Sequence, residues 1–389
     1  MARNPIKDQV AIVGIGTTGF RRDAGGRSSA SLGVEAAIAA IRDAGLTPAD
    51  IDGITAVAEP GAPRPNQVAA MLGIPNVRHY ASPSPVAVFG LVDAINAVFS
   101  GACDTALLLF SMLRLPWGSR SAAADPFRKH LGFGASVIPE MLMGAPAYAA
   151  WASRYVHEYG ARREDFGYVA LNSRTNAASN PLAAMRAPLT MDDYLSARMI
   201  RDPLCLLDMD LPVDGADAFV ITTAERARDL RDDPVLIHAA TVGLASEGDE
   251  DQLGGLSRTG QHVVVEQLKA KSDLWLDDVD VFFPYDGFTI ITLGWIENLG
   301  FCGPGEGGKF LESHWDEKSG RALIDGRVPI NPHGGSLSEG ATRGSGHLRE
   351  AVVQLRGDAG DRQVAGARTA LVTPGGFFFN SQGVILRSG

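Results

Sequence analysis

Two distant stretches of this chain are written alike. Leu46-Thr-Pro-Ala-Asp50-Ile-Asp52-Gly-Ile54 follows a stretch over Ser31–Ala44 that places Leu32, Ala36, Ala39 and Ala40 on one helical face. It leads into an apolar strand near Thr55–Val57. Leu274-Trp-Leu-Asp-Asp278-Val-Asp280-Val-Phe-Phe283 repeats the pattern after a helix over Val263–Lys271. A second pair follows, with the helix Val86–Phe99 and strand Thr105–Phe110 matched by the helix Gly346–Arg356 and strand Thr369–Thr373. An internal repeat fixes architecture before any motif is read. It predicts an α/β protein of two pseudo-symmetric halves, residues 1–240 and 241–389, with an insertion at about 112–200. In such a protein the site lies where the halves meet, at strand and helix ends.

Read in order, the first 110 residues run strand, helix, strand, helix, strand, which predicts parallel strands. Val10–Gly14 is followed by Gly14-Ile-Gly16-Thr-Thr-Gly19, a literal GxGxxG. A dinucleotide site needs its helix to begin inside the motif and an acid about 20 residues on. Here the helix starts only near Ser31 and no second strand ending in an acid follows at the right distance, so a dinucleotide site is not expected. Residues 112–200 hold turn clusters, a Trp117-Gly-Ser-Arg-Ser121 run and a helix around Ala147–Tyr159 carrying Tyr148, Trp151, Tyr155 and His157. An insertion of that length suggests a lid or an oligomer contact, and its aromatic residues read as core. Asp214–Thr222 and Pro234–Val242 read as further strands.

Composition excludes several classes of function. A net charge of −10 gives no general attraction to nucleic acid or anionic membrane. The three cysteines, Cys103, Cys205 and Cys302, lie far apart without a CxxC pair, which argues against disulfides or a zinc site. No apolar run approaches the roughly 20 residues needed to span a bilayer, and no signal segment opens the chain. The expectation is a cytoplasmic protein without a metal.

Chemistry concentrates in two loops. Asn331-Pro-His-Gly-Gly-Ser-Leu-Ser-Glu-Gly-Ala-Thr-Arg343 sits between a short strand and the last long helix, and Tyr285-Asp286 sits in another loop. Adjacent glycines after His333 allow a backbone to pass close to a ligand. Glu339 and Arg343 are placed to pair with each other or to meet substrate. Asp286 reads as a carboxylate that fixes its loop by accepting backbone N–H bonds. His347 reads as a polar residue at a helix start, and Cys302 as structural.

These stretches together resemble the thiolase superfamily, and more closely its sterol-carrier-protein-x, or lipid-transfer-protein, branch. The matching segments are Val10–Gly16, Ser31–Gly53, Asp214–Leu230, Tyr285–Gly307, Asn331–Gly340 and Gly346–Gly376. Asp286-Gly-Phe-Thr followed by Leu299-Gly-Phe-Cys-Gly-Pro-Gly-Glu306 is the most specific string. The resemblance implies a five-layer α-β-α-β-α fold and a homodimer. It also shows what is missing. Thiolases use a cysteine at the N-terminus of the helix matching Val86–Phe99, where the dipole lowers the thiol pKa. This chain has Ala81-Ser-Pro-Ser84-Pro-Val there, so Ser84 is the sterically equivalent group. The family's histidine falls on Ala341, and its second cysteine is absent from Leu371-Val-Thr-Pro-Gly375-Gly376. Claisen chemistry by the usual route is therefore not expected.

The same branch contains steroid side-chain aldolases, retro-aldolases of β-hydroxyacyl-CoA thioesters that work with a small OB-fold and zinc-ribbon partner. The resemblance implies that activity here, with CoA as part of the substrate and no separate cofactor. A retro-aldol step needs a base for the β-hydroxyl and a stabilised enolate on the thioester oxygen. Tyr285 is the candidate for proton movement and would need a depressed pKa to act as the base. His333 and the N–H groups around Gly334-Gly335 and Gly375-Gly376 are candidate donors to the oxyanion. Arg343 is a candidate for substrate contact, as are Arg120, Arg128 and Lys129 for the CoA phosphates. The aldolases' second tyrosine falls on Ala341, with Thr342 and Arg343 as neighbouring replacements. Two alternatives stay open: a thiolase or acyltransferase with an altered nucleophile, and a non-catalytic acyl-CoA-binding subunit.

Overall fold

The computed structural model describes residues 4–57, 59, 61–83, 87–113, 144–245, 254–377 and 380–389. The first half runs β1 (Val10–Thr17), α1 (Ser29–Asp43), β2 (Gly53–Ala56), α2 (Pro65–Leu72), β3 (His79–Ala81), α3 (Ala87–Phe99) and β4 (Thr105–Met112). After the insertion, β7 (Gly215–Thr223) completes it. After α7 (Ala224–Leu230) the second half runs β8 (Val235–Gly243), α8 (Gly260–Lys271), β9 (Val281–Pro284), α9 (Thr289–Leu299), α10 (Gly307–Ser313), β10 (Trp315–Asp316), β11 (Arg321–Ile324), β12 (Val328–Pro329), α11 (Ser345–Arg356), β13 (Thr369–Thr373) and β14 (Ser381–Ser388).

The hydrogen-bonded order is β3-β2-β4-β7-β1 and then β8-β14-β13-β9. Each half repeats the other: β2 is parallel to β4 as β9 is to β13, and β7 is antiparallel to both β1 and β4 as β14 is to both β8 and β13. Within the large sheet the halves join through β1 and β8, at Ala11↔Leu236 and Ile12↔Val235. The four strands of the first 110 residues run parallel to one another, as the sequence suggested, and the sheet is mixed because β7, from beyond residue 200, runs antiparallel to β1 and β4. The first strand does not pair with the second; β7 inserts between β1 and β4. Residue 240 lies within β8.

The repeated acids explain the repeated sequence. Asp50 and Asp278 each cap a short 3-10 turn, their Oδ2 atoms accepting from the N–H of Thr47 and Trp275 at 2.9 Å. Asp52 and Asp280 then bind the first N–H groups of the neighbouring parallel strand. Thr105 N donates to Asp52 at 2.8 Å, and Thr369 N donates to Asp280 at 3.0 Å. Short carboxylates are required at all four places because each must reach an otherwise unpaired backbone donor.

Three apolar clusters separate five layers. One lies under α1 and α2, with Leu32, Ala36, Ala40 and Val68 buried against Leu107 and Val220. The central one holds α3 and α11, with Leu91, Ile95, Leu348 and Val352 packed on strands of both halves. The third lies under α8, α9 and the insertion helices. The GxGxxG glycines belong to β1 and the turn after it. A Cβ on Gly14 or Gly16 would come within 2.2 or 2.1 Å of a carbonyl oxygen of α1, so these glycines let helix and strand touch. Among the described residues no helix is long and apolar enough to cross a membrane.

The insertion contributes α4 (Ala145–Tyr159), α5 (Arg163–Ala177), α6 (Met191–Leu195) and the short ladder of β5 (Met199–Arg201) with β6 (Leu204–Cys205). Tyr148 and Tyr155 are buried core, as their spacing suggested. Helix α5 is different: its buried face includes Asn172, Ser173, Arg174 and Asn176. Asn172 and Asn176 reach Ile330, Arg174 reaches Ser338 in the loop after it, and Ser173 reaches Asp286.

Candidate active site

Parallel strands β2 and β9 hold equivalent places in the two halves. Tyr285 follows directly on β9. Its N–H donates to Thr373 O at 3.1 Å and its carbonyl accepts from Thr292 Oγ1 at 3.1 Å, so the backbone is clamped. A Cβ on Gly287 would lie 3.0 Å from the Tyr285 hydroxyl, which is why the ring can fold over that glycine. Burial pushes the phenol well above its ordinary value, and the Asp210 carboxylate adds to the shift while Arg343 opposes it. The hydroxyl therefore stays protonated. The depressed value that a base would need is not what this environment gives, and of the two roles read from the sequence it favours the donor.

Asp286 is fully buried and occupied. Ser336 N donates to its Oδ1 at 2.7 Å and Leu337 N to its Oδ2 at 3.2 Å. Ser173 Oγ of α5 donates at 3.0 Å, and His347 Nε2 of α11 lies 3.0 Å away. Two contacts on each oxygen leave no lone pair for substrate. Asp286 is an anchor for the loop, as its sequence context suggested, and is placed to hold Tyr285 rather than to react. His347 sits in the first turn of α11, as its sequence position suggested, and is buried there as a partner of this carboxylate.

Gly334 and Gly335 serve the same anchoring. A Cβ on Gly334 would meet the Ala177 Cβ at 2.6 Å, and one on Gly335 would meet Asp286 Oδ2 at 2.0 Å. Both have positive φ, 101° and 58°. The close approach is to protein, not to a ligand. His333 is sealed in, 0% exposed, between the rings of Phe283 and His347. Desolvation holds its imidazole well below the ordinary range, aided by His347 and Arg349. It is a neutral core group and does not reach a surface. Of the other glycine pair, Gly376 N donates to Asn380 Oδ1 at 3.0 Å, so this N–H is already used. Gly375 has φ 94° and packs against the Asn380 carbonyl.

Arg343 and Glu339 do not pair. Glu339 is buried with Arg349, whose guanidinium also holds Asp217 at 2.6 Å. Arg343 Nε lies 3.3 Å from Glu59 Oε1, and the Arg343 carbonyl accepts from Ala87 N at the start of α3. Arg343 thus links the loop to the start of α3. Thr342 Oγ1 accepts from Gly346 N at 3.0 Å and is committed to the helix start. Ser84, Arg120, Arg128 and Lys129 lie outside the described residues.

Sequence reasoning missed the support for this loop. Asn172 and Asn176 both donate to Ile330 O, at 2.9 and 2.8 Å, and Asn180 donates to His333 O at 2.8 Å. The signal was a polar stripe at helical spacing, Asn172, Ser173, Asn176, which marks a face buried against backbone carbonyls.

A family model described as thiolase C-terminal domain-like matches residues 255–388. Across 387 residues the chain is 35% identical to the 17-hydroxy-3-oxo-4-pregnene-20-carboxyl-CoA lyase of Mycobacterium tuberculosis, covering 95% of this chain and 97% of that one. It is 36% identical over 383 residues to the steroid side-chain-cleaving aldolase of Thermomonospora curvata, covering 94% of each. The chain belongs to the thiolase superfamily, in the branch of the steroid side-chain-cleaving aldolases. The solved Ltp2–ChsH2(DUF35) aldolase superposes with a TM-score of 0.85 at 33% identity over 98% of each chain. Human mitochondrial 3-ketoacyl-CoA thiolase superposes at 0.70 with 14% identity, a likeness of fold alone.

Within this aldolase branch the thiols here fit a non-thiolase chemistry. Burial first, then neighbouring carboxylates, push Cys103 and Cys302 up to about 12 and Cys205 up to about 11. All three are free cysteines held as thiols, and a thiol held protonated is a poor nucleophile.

Proposed function

We propose that this protein is a carbon–carbon lyase that cleaves a β-hydroxyacyl-CoA thioester of a steroid side chain by a retro-aldol step. The observation that carries the reading is near-full-length similarity to two proteins named for that activity, in a chain whose thiolase cysteine and histidine positions hold other residues. The β-hydroxyl loses its proton, the Cα–Cβ bond breaks, a ketone leaves, and the thioester enolate takes up a proton. Tyr285, buried and protonated, suits donation to the enolate oxygen or α-carbon. Asp286, Gly334, Gly335 and His333 form the frame that holds it. No cofactor enters the scheme, since CoA is part of the substrate.

Similarity to the Ltp2–ChsH2(DUF35) aldolase supports a small partner of that DUF35 kind, and the OB fold and zinc ribbon of that partner are part of the proposal. The sheet edge at β3, where Tyr80 is 73% exposed, supports a homodimer built through that strand. The three free cysteines support a cytoplasmic setting. Division of the chain near residue 240 into two thiolase-like halves is part of the same reading.

The test is a mass-spectrometric assay with matched β-hydroxyacyl-CoA and β-ketoacyl-CoA esters, with and without free CoA and a coexpressed DUF35-type partner. Cleavage of the hydroxyacyl ester without added CoA is expected. Cleavage of the keto ester alone, and only with CoA, would make the protein a thiolase. No turnover of either ester would leave the acyl-CoA-binding subunit.

A further inference from the structure

The retro-aldol reading leaves one role empty. Something must remove the proton from the β-hydroxyl, and the groups described so far do not suit it. Tyr285 keeps its own proton, Ala341 has no proton-accepting group, Asp286 has both oxygens occupied, and His333 is enclosed. The pseudo-symmetry of the fold points to another residue. Tyr285 follows β9, and Glu59 lies three residues beyond β2, the strand that matches β9 in the other half. Carboxyl ends of parallel strands are where sites of α/β proteins form.

Glu59 is 8% exposed, a rare degree of burial for a carboxylate. Its neighbouring charge is Arg343 Nε, 3.3 Å from Oε1, an ion pair without the alignment of a good hydrogen bond, so that oxygen keeps accepting capacity. Arg343 is itself two residues past Ala341 and bonded to the first residue of α3. Glu59, Arg343, Asp210 and Asp286 are also the charges felt by the Tyr285 phenol.

We propose that Glu59 is the general base of the cleavage, its buried Oε1 accepting the β-hydroxyl proton while Tyr285 donates to the enolate. This rests on the aldolase reading above. The oxygen electron pair forms the ketone as the Cα–Cβ bond breaks, and the pair from that bond goes to the enolate, which takes the Tyr285 proton. The proton held on Glu59 then returns to Tyr285, so both groups end the cycle as they began. Nothing is oxidised or reduced. Burial raises the Glu59 carboxyl above its usual range against the opposing effect of Arg343, and a raised value makes a better proton acceptor near neutrality.

The test uses the enzyme purified with its coexpressed partner and a 17-hydroxysteroid 20-carboxyl-CoA thioester. Glu59→Gln is expected to lower kcat by about 10²–10⁴-fold, to leave thioester affinity within about threefold, and to abolish the acid limb of the kcat/KM profile. Glu59→Asp is expected to keep that limb with a reduced rate, which covers the case of a Gln variant that does not fold. A Gln variant with wild-type rate, or with a reduced rate and the acid limb intact, would overturn the assignment. So would loss of the limb in Asp210→Asn alone. If the wild-type enzyme cleaves no hydroxyacyl thioester, the aldolase reading itself fails; if it does and Glu59→Gln is unaffected, only the Glu59 role falls.

Discussion

The Asp286 carboxylate and the His347 imidazole meet at 3.0 Å, both without exposure to solvent. This contact ties the end of β9 to the first turn of α11, and with Ser173 it brings three elements onto one carboxylate. Replacing Asp286 with Ala strands Ser336 N, Leu337 N and Ser173 Oγ together. Each buried donor left unpaired costs about 1–3 kcal/mol, so Asp286→Ala should lose about 3 kcal/mol or more in urea unfolding. A change under about 0.5 kcal/mol would mean that the loop is held by other contacts.

The glycine after Gly334 gives a sharper version of the same claim. Gly335→Ala must place a Cβ 2.0 Å from Asp286 Oδ2 at φ 58°. Gly25→Ala has φ 66° but open space around it. Left-handed backbone alone costs about 1–2 kcal/mol, and overpacking adds about 1–3 kcal/mol. Gly335→Ala should therefore lower the unfolding midpoint clearly more than Gly25→Ala. Equal midpoints would contradict the close approach.

His333 gives a pH test. Its folded pKa is depressed by burial, so the unfolded chain, titrating near 6.5, binds the proton first as pH falls. The stability its neutral burial allows is present above that value and is lost as pH drops below it. The buried Glu59 and Glu339 carboxyls, shifted upward, act in the opposite sense but are common to both proteins. Between pH 6.5 and 5 the stability gap between wild type and His333→Gln should narrow, at most by about 1.4 kcal/mol per pH unit. A constant gap across that range would show that His333 is not held neutral.

The two halves were legible because Asp50, Asp52, Asp278 and Asp280 cap equivalent turns and strands, and backbone donors tolerate few substitutes there. The loop at Asn331–Arg343 was legible as unusual, but its glycines were assigned to a ligand when they serve Asp286 and Ala177. Local sequence shows that a backbone must come close to something, not to what. Helix α5 was missed because its buried face is polar, satisfied by carbonyls far away in sequence. Arg343 and Glu339 were read as able to pair with each other or to meet substrate, whereas the fold sets them against Glu59 and Arg349. Glu59, isolated beyond a short strand, has no local pattern at all.

The most direct measurement is single-turnover cleavage of a β-hydroxyacyl-CoA thioester by Tyr285→Phe, with thioester affinity read in parallel. The phenyl ring keeps the packing against His347 and removes only the hydroxyl. The account predicts a rate reduced by about 10²–10⁴-fold with affinity within about threefold. A Tyr285→Phe enzyme that cleaves at the wild-type rate without added CoA would contradict it.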